Sequence, residues 1–210
     1  MSSKSSPNSP ASNTASPRSF GVTGGIGSGK SFICRSIEAA GFPVFYCDAE
    51  AKHIIRTSPE VKAHLTQLVG TEVYAPDGTL CKAVLAEFIC RSKQHAAQVD
   101  AIVHPAVGKA FTKWASQQAA PKIFMECALL FESGFDKLVD RSILISAPEE
   151  KRIARVMERD GVSLEKAKEW MALQMPEEEK AARADYIIYN DYARAYEASL
   201  RQLLEDITKI

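Results

Sequence analysis

Apolar positions along this chain alternate between short runs and helical spacings, a pattern that predicts strands separated by helices. Phe20, Val22 and Thr23 make a short apolar and β-branched run, a strand signal. Ile33, Ile37 and Ala40 then recur at helical spacing, with Arg35 and Glu38 between them. Gly41 closes that helix, Phe42-Pro43-Val44-Phe45-Tyr46 reads as a second strand, and 49–56 reads as a further helix. Strand signal is weak across 58–119. Pro59 opens a helical pattern with Val61, Leu65 and Leu68, and Pro76-Asp77-Gly78 makes a turn. Leu85, Phe88 and Ile89 mark a short helix, and Val99, Ile102 and Val103 another. His104-Pro105 is expected to interrupt it before Val107, Phe111, Trp114 and Ala115 resume the spacing.

Ile123-Phe124-Met125-Glu126-Cys127 reads as a third, buried strand, Ser142-Ile143-Leu144-Ile145 as a fourth and Tyr186-Ile187-Ile188-Tyr189 as the last. Ser146-Ala147-Pro148-Glu149 has the form of a capping box, ahead of a helix whose buried stripe is Ile153, Val156 and Met157. Asp160-Gly161 breaks that helix, and Ser163 caps one carrying Leu164, Ala167 and Met171. Glu177-Glu178-Glu179-Lys180 reads as a solvated helix start, and Leu200, Leu203, Leu204 and Ile207 as the apolar face of a final amphipathic helix. Strands alternating with helices predict an α/β fold with a parallel five-stranded sheet. The helical stretch at about 58–119 is expected to be an inserted substrate-binding subdomain. Residues 1–19, rich in Ser and Pro, are expected to form a disordered tail, since they bury too little apolar surface to offset ordering entropy.

Between the first strand and its helix lies Gly24-Gly25-Ile26-Gly27-Ser28-Gly29-Lys30-Ser31, a G-x-x-x-x-G-K-[ST] phosphate-binding pattern in the strand–turn–helix context that gives it meaning. Glycines let the backbone curl with its N–H groups inward, and the helix N-terminus adds partial positive charge where phosphates sit. In this pattern Lys30 reaches the β- and γ-phosphates and the Ser31 hydroxyl ligates Mg²⁺. A nucleoside triphosphate is therefore the expected ligand. Asp48 follows the second strand directly, at the sheet edge where ligands bind in open α/β folds, so it is either a catalytic group or an N-cap. Glu126, near the end of the third strand, is either a contact to metal-bound water or a hydrogen-bonded strand end. Arg152, Arg155 and Arg159 share one helix face, because three- and four-residue steps stack. They either neutralise phosphate charge or form a solvated basic face with Glu149, Glu158 and Asp160. His104 reads as a structural histidine rather than a catalyst.

Composition narrows the partners. The formal net charge of the 210 residues is zero and the sequence pI is about 6.9, so no basic excess points to nucleic acid. No apolar run approaches bilayer length, and the N-terminal residues lack the apolar core of a secretory signal. Five cysteines without C-x-x-C spacing argue against zinc or a disulfide framework and for a reducing, cytoplasmic setting.

Taken together these residues resemble the dephospho-CoA kinase family. The resemblance is carried by Thr23 through Ser31, by Asp48 five residues after Pro43, by His104-Pro105, and by Leu129-Leu130-Phe131-Glu132. Arg155 with Arg159-Asp160-Gly161, Gln174-Met175-Pro176, and Ala184-Asp185-Tyr186 through Asn190-Asp191 complete it, so it spans Phe20 to the C-terminus. It implies a P-loop kinase fold with a lid at about 148–180. It also implies transfer of the γ-phosphoryl of ATP, with Mg²⁺, to the ribose 3′-hydroxyl of dephospho-CoA. By the same resemblance Asp48 is the base, Lys30 holds the ATP phosphates together with Gly25, Gly27, Ser28, Gly29, Ser31 and the backbone of Phe32, and Arg155 and Arg159 reach in from the lid. Three positions depart from the family pattern: Tyr46 stands where a second Asp is usual, Phe32 where Thr is usual and Ala128 where Pro is common. Rival readings are a kinase of another small molecule such as a nucleoside monophosphate, a catalytically silent nucleotide binder, and a regulatory GTP switch. The last lacks its N-K-x-D element anywhere in the chain.

Overall fold

The computed structural model describes residues 17–190, 198, 200–202, 204 and 205. Of the predicted tail, 1–16 lie outside the described residues, while Arg18 and Ser19 already belong to β1 (Arg18–Thr23). Ser19 is fixed there by Asp140, whose carboxylate accepts from its backbone N–H at 2.7 Å and its hydroxyl at 3.0 Å.

The remaining strands are β2 (Val44–Tyr46), β3 (Lys122–Glu126), β4 (Arg141–Ser146) and β5 (Tyr186–Tyr189). All pair in parallel, in the order β2-β3-β1-β4-β5. This is the predicted five-stranded parallel sheet. Phe42 and Pro43 fall outside β2; Pro43 has no N–H for the ladder, and only its carbonyl takes part, accepting from Phe124 at 2.9 Å.

Both faces of the sheet are covered, which is why β3 is buried at every position. Alternate side chains go to opposite faces. Phe124 joins Phe20, Val22, Ile143, Ile145 and Ile188 beneath Ile33, Cys34 and Ile37 of α1 (Lys30–Ala39). Ile123 and Met125 join Phe45 on the other face, beneath the helices that follow β2.

Those helices are α2 (Cys47–Thr57), α3 (Pro59–Val69), α4 (Lys82–Cys90) and α5 (Lys93–Ala115). Val61, Leu65, Phe88, Val103 and Phe111 pack into the same cluster as the sheet residues, so the block shares its core with the sheet. Pro105 does not interrupt α5 as expected. A mid-helix proline forfeits one hydrogen bond and crowds the preceding turn. Here Pro105 is on the exposed side, and the buried stripe Val99, Val103, Val107 and Phe111 carries the helix through it.

After β4 come α6 (Glu149–Asp160), α7 (Leu164–Met171) and α8 (Glu177–Arg183). Ile153, Val156 and Ala167 form a small separate core with Trp170 and Met171, and Ile26 of the glycine-rich loop packs against it. The capping box does not form. Pro148 is the N-cap, and Ser146 instead donates to Glu177 Oε1 at 2.5 Å. The Glu177–Lys180 run is also not wholly solvated: Glu177 pairs with Arg152 at 2.7 Å and Lys180 is 1% exposed. Leu200 is buried against the α1 face, whereas Leu203 and Ile207 lie outside the described residues.

Candidate active site

The carboxyl ends of β1, β2 and β3 meet in register, with Val22 and Tyr46 on either side of Glu126. A cleft of about 830 Å³ opens directly above them. Its walls include the loop 24–31, Phe32, Arg35, Tyr46, Asp48, Lys52, Glu126, Arg159 and Gln174. In open parallel sheets this edge is where ligands are held.

The loop is built as its sequence predicts. Gly27 and Gly29 have φ of +79° and +88°, a conformation that favours glycine, and Gly29 leads straight into α1. That helix has no side-chain cap and no acidic residue in its first turn, so its N-terminus is open to an anion. Ser31 is exposed in the first turn, facing the cleft. Ser28 turns inward: its side chain is buried without a hydrogen-bond partner, leaving its backbone to serve the cleft.

Neighbouring segments brace the loop from several sides. Arg155 donates to the Gly27 carbonyl at 3.0 Å and to the Asn190 carbonyl at 3.2 Å, and Asn190 donates to the Ser28 carbonyl at 2.8 Å. Gln174 Oε1 accepts from the Ile26 N–H at 2.8 Å. Thr23 donates to the Ala128 carbonyl at 3.2 Å, the same carbonyl that accepts from Lys180 at 3.2 Å.

Lys30 is buried and ion-paired with Glu126, itself only 4% exposed. Glu126 is thus a partner of the loop lysine. The Cys34 thiol feels this charged pair and is pushed up to about 12, first by burial and then by Glu126. Tyr46 is raised too, by burial and by its hydrogen bond to Glu38 Oε2 at 2.7 Å.

Asp48 is the second residue of α2, not its cap. Tyr46 occupies the N-cap position and makes no side-chain capping bond. The Asp48 carboxylate is exposed to the cleft, at a helix start whose dipole favours negative charge, and no hydrogen bond or ion pair engages it among the described residues. Lys30, Ser31 and Asp48 therefore meet in one cleft, with Arg159 on its wall. Arg159 forms a two-pronged pair with Asp160, at 3.0 and 2.7 Å. Arg155 is not on the cleft wall, because its guanidinium is engaged by loop and Asn190 carbonyls. His104 is elsewhere as well, packed edge-on against Phe135 at 5.6 Å and 3.5 Å from Asp100, which fits the structural reading.

Two cleft residues escaped the sequence reading, Lys52 and Arg35. No motif marks them. The one available signal for Lys52 was its position four residues after Asp48 on a predicted helix. A magnesium ion would find hydroxyl and carboxylate oxygens here in Ser31 and Asp48. No cluster of three or more His, Cys, Asp or Glu suited to a metal occurs among the described residues. No helix among the described residues is long and apolar enough to cross a membrane.

Comparison with known proteins agrees with the geometry. The model of the dephospho-CoA kinase family matches residues 18–195. Dephospho-CoA kinase of Bacteroides fragilis (strain YCH46) is 42% identical over 173 residues, covering 82% of this chain and 84% of that protein. That of Salinibacter ruber is 39% identical over 175 residues, covering 82% and 88%. Among solved structures, TT1252 from Thermus thermophilus superposes with a TM-score of 0.79 at 31% identity, covering 93% of this chain and 98% of its own. Dephospho-CoA kinase from Campylobacter jejuni gives 0.67 at 25% identity, covering 91% and 97%. With a phosphate loop, an acidic group opposite it and a family match over most of its length, the chain belongs to the dephospho-CoA kinases, which complete coenzyme A synthesis.

Proposed function

We propose that the cleft performs the family's phosphoryl transfer with Asp48 as general base, taking the proton of the acceptor's ribose 3′-hydroxyl as that oxygen attacks the γ-phosphorus of ATP. The observation that carries this reading is the convergence of Lys30, Ser31 and Asp48, from two different strand ends, on one cleft. Phosphoryl transfer asks for positioning and charge neutralisation more than for covalent chemistry. The loop N–H groups and Lys30 hold the triphosphate. For Lys30 to do so it exchanges Glu126 for phosphate oxygens. Magnesium, bound by the Ser31 hydroxyl and the nucleotide, would supply charge neutralisation at the β- and γ-phosphates.

The arginines divide the remaining work. Arg159, on the cleft wall, covers charge on the transferring group; its exposed pairing with Asp160 is weak enough to exchange. Arg155 holds the loop through Gly27. The helices α6 to α8 act as the lid, and their contacts to Gly25, Ile26 and Gly27 support that role. Five free cysteines are consistent with work in the reducing cytoplasm. The test is a coupled assay of ADP release with ATP and dephospho-CoA, run beside a panel of nucleoside monophosphates. Turnover is expected with dephospho-CoA; preference for a monophosphate would overturn the acceptor assignment.

A further inference from the structure

Beside Asp48 the cleft carries two cations that the phosphate chemistry above does not use. Lys52 lies four residues after Asp48 on α2, and Arg35 five residues after Lys30 on α1. Both are exposed, both line the cleft, and no hydrogen bond or ion pair engages either among the described residues. The other cations near the loop are occupied: Lys30 by Glu126, Arg152 by Glu177 and Arg159 by Asp160.

Arg35 has a ready partner three residues on, Glu38, at a spacing where helix ion pairs form. Glu38 instead accepts from the Tyr46 hydroxyl at 2.7 Å, and no hydrogen bond or ion pair joins it to Arg35 among the described residues. Tyr46 also puts a neutral side chain where the family pattern would put a carboxylate, so this wall of the cleft carries one negative charge fewer. Two unpaired like charges beside a third residue built to receive a hydroxyl describe a receptor for an anion attached to that hydroxyl's own sugar.

The acceptor has such an anion. Dephospho-CoA is an adenosine whose 3′-hydroxyl is free to accept the phosphoryl group and whose 5′-oxygen bears a diphosphate. Residues four apart on a helix stand about 5–6 Å from one another. That is the span a single ribose covers between its 3′-oxygen and its 5′-phosphate. With the 3′-hydroxyl on Asp48, a diphosphate at that span would come within reach of Lys52. We propose that Lys52, with Arg35, binds the 5′-diphosphate of the acceptor and so selects acceptors carrying that group over bare nucleosides. The assignment rests on the dephospho-CoA reading of the cleft.

The test compares dephospho-CoA with adenosine, which offers the same 3′-hydroxyl and no diphosphate, at saturating ATP. Unaltered protein is expected to form CoA and to prefer dephospho-CoA over adenosine. In Lys52→Met the ratio of the two kcat/KM values is expected to fall about ten- to a hundred-fold, the range for losing one hydrogen-bonded charge, chiefly through a raised KM for dephospho-CoA. Arg35→Met should lower the ratio as well, and Lys52→Arg should restore most of it. A ratio unchanged in Lys52→Met, or equal losses with both acceptors, would overturn the assignment. Failure of the unaltered protein to form any CoA would instead sink the acceptor reading itself.

Discussion

Asp48 shows how far single residues could be read and where reading stopped. Its position after the second strand placed it at the ligand edge, yet the sequence left cap and base equally open. The structure removes the cap, since Tyr46 holds that position. Asp48→Asn keeps the shape and loses the proton acceptor, so kcat with dephospho-CoA is expected to fall roughly 10²–10⁴-fold with ATP affinity nearly unchanged. Near wild-type turnover would remove Asp48 from the role. Glu126 and Lys52 were harder, because what decides them is a partner from another element: Lys30 from α1 for one, a vacant neighbourhood for the other. Cys34 is a residue whose burial has a consequence for stability. Its thiol, raised to about 12 in the fold, stays protonated where the unfolded chain's thiol ionises, at its ordinary value of 9.0. The unfolded state then holds fewer protons, so this contribution is fully present below about pH 9 and declines as pH rises toward 12. Urea midpoints of the wild type and Cys34→Ala should converge between about pH 9 and 11; a constant gap would contradict the assignment.

At the scale of elements, periodicity found the strands and most helices because burial on one or two faces writes itself into spacing. It failed where a local signal competed with packing. His104-Pro105 looked like a break, but the stripe from Val99 to Phe111 outweighs one missing hydrogen bond. Ser146 looked like a cap, but Pro148 sets the helix start and the serine serves Glu177. The acidic run at 177–180 looked solvated because charge runs usually are. Lys180 is nonetheless enclosed, 3.2 Å from both the Ala128 carbonyl and Glu132 Oε1, while Glu132 also accepts from the Met175 N–H at 2.9 Å. One ammonium thus fastens α8 to the turn after β3. Lys180→Ala removes its packing and leaves Glu132 without its cation, which should cost about 3 kcal/mol, the low end for a broken buried pair because Glu132 keeps some contact with solvent. Denaturant unfolding measures it; a loss under about 1 kcal/mol would show the pair to be incidental.

For the whole molecule, the parallel sheet, the inserted helices and the phosphate loop were all legible, since each is a sequence-local pattern. The pairing of the strands was not, because nothing local states that β1 sits between β3 and β4. That order has a consequence for how the chain comes to life. β1 and β2 are consecutive in sequence and do not touch; both lean on β3, which begins at Lys122. Every pairing in the sheet that involves β1 or β2 therefore closes a long loop, and such closures are slow. While the chain is being synthesised, its first 121 residues hold the complete glycine-rich sequence and Asp48 but no partner for either strand that presents them. A fragment ending before Lys122 is expected to be partly helical by circular dichroism and to show no saturable ATP binding, which appears only once β3 and β4 are added. Nucleotide affinity is thus a late event in folding, conferred by a strand that carries none of the glycine-rich motif.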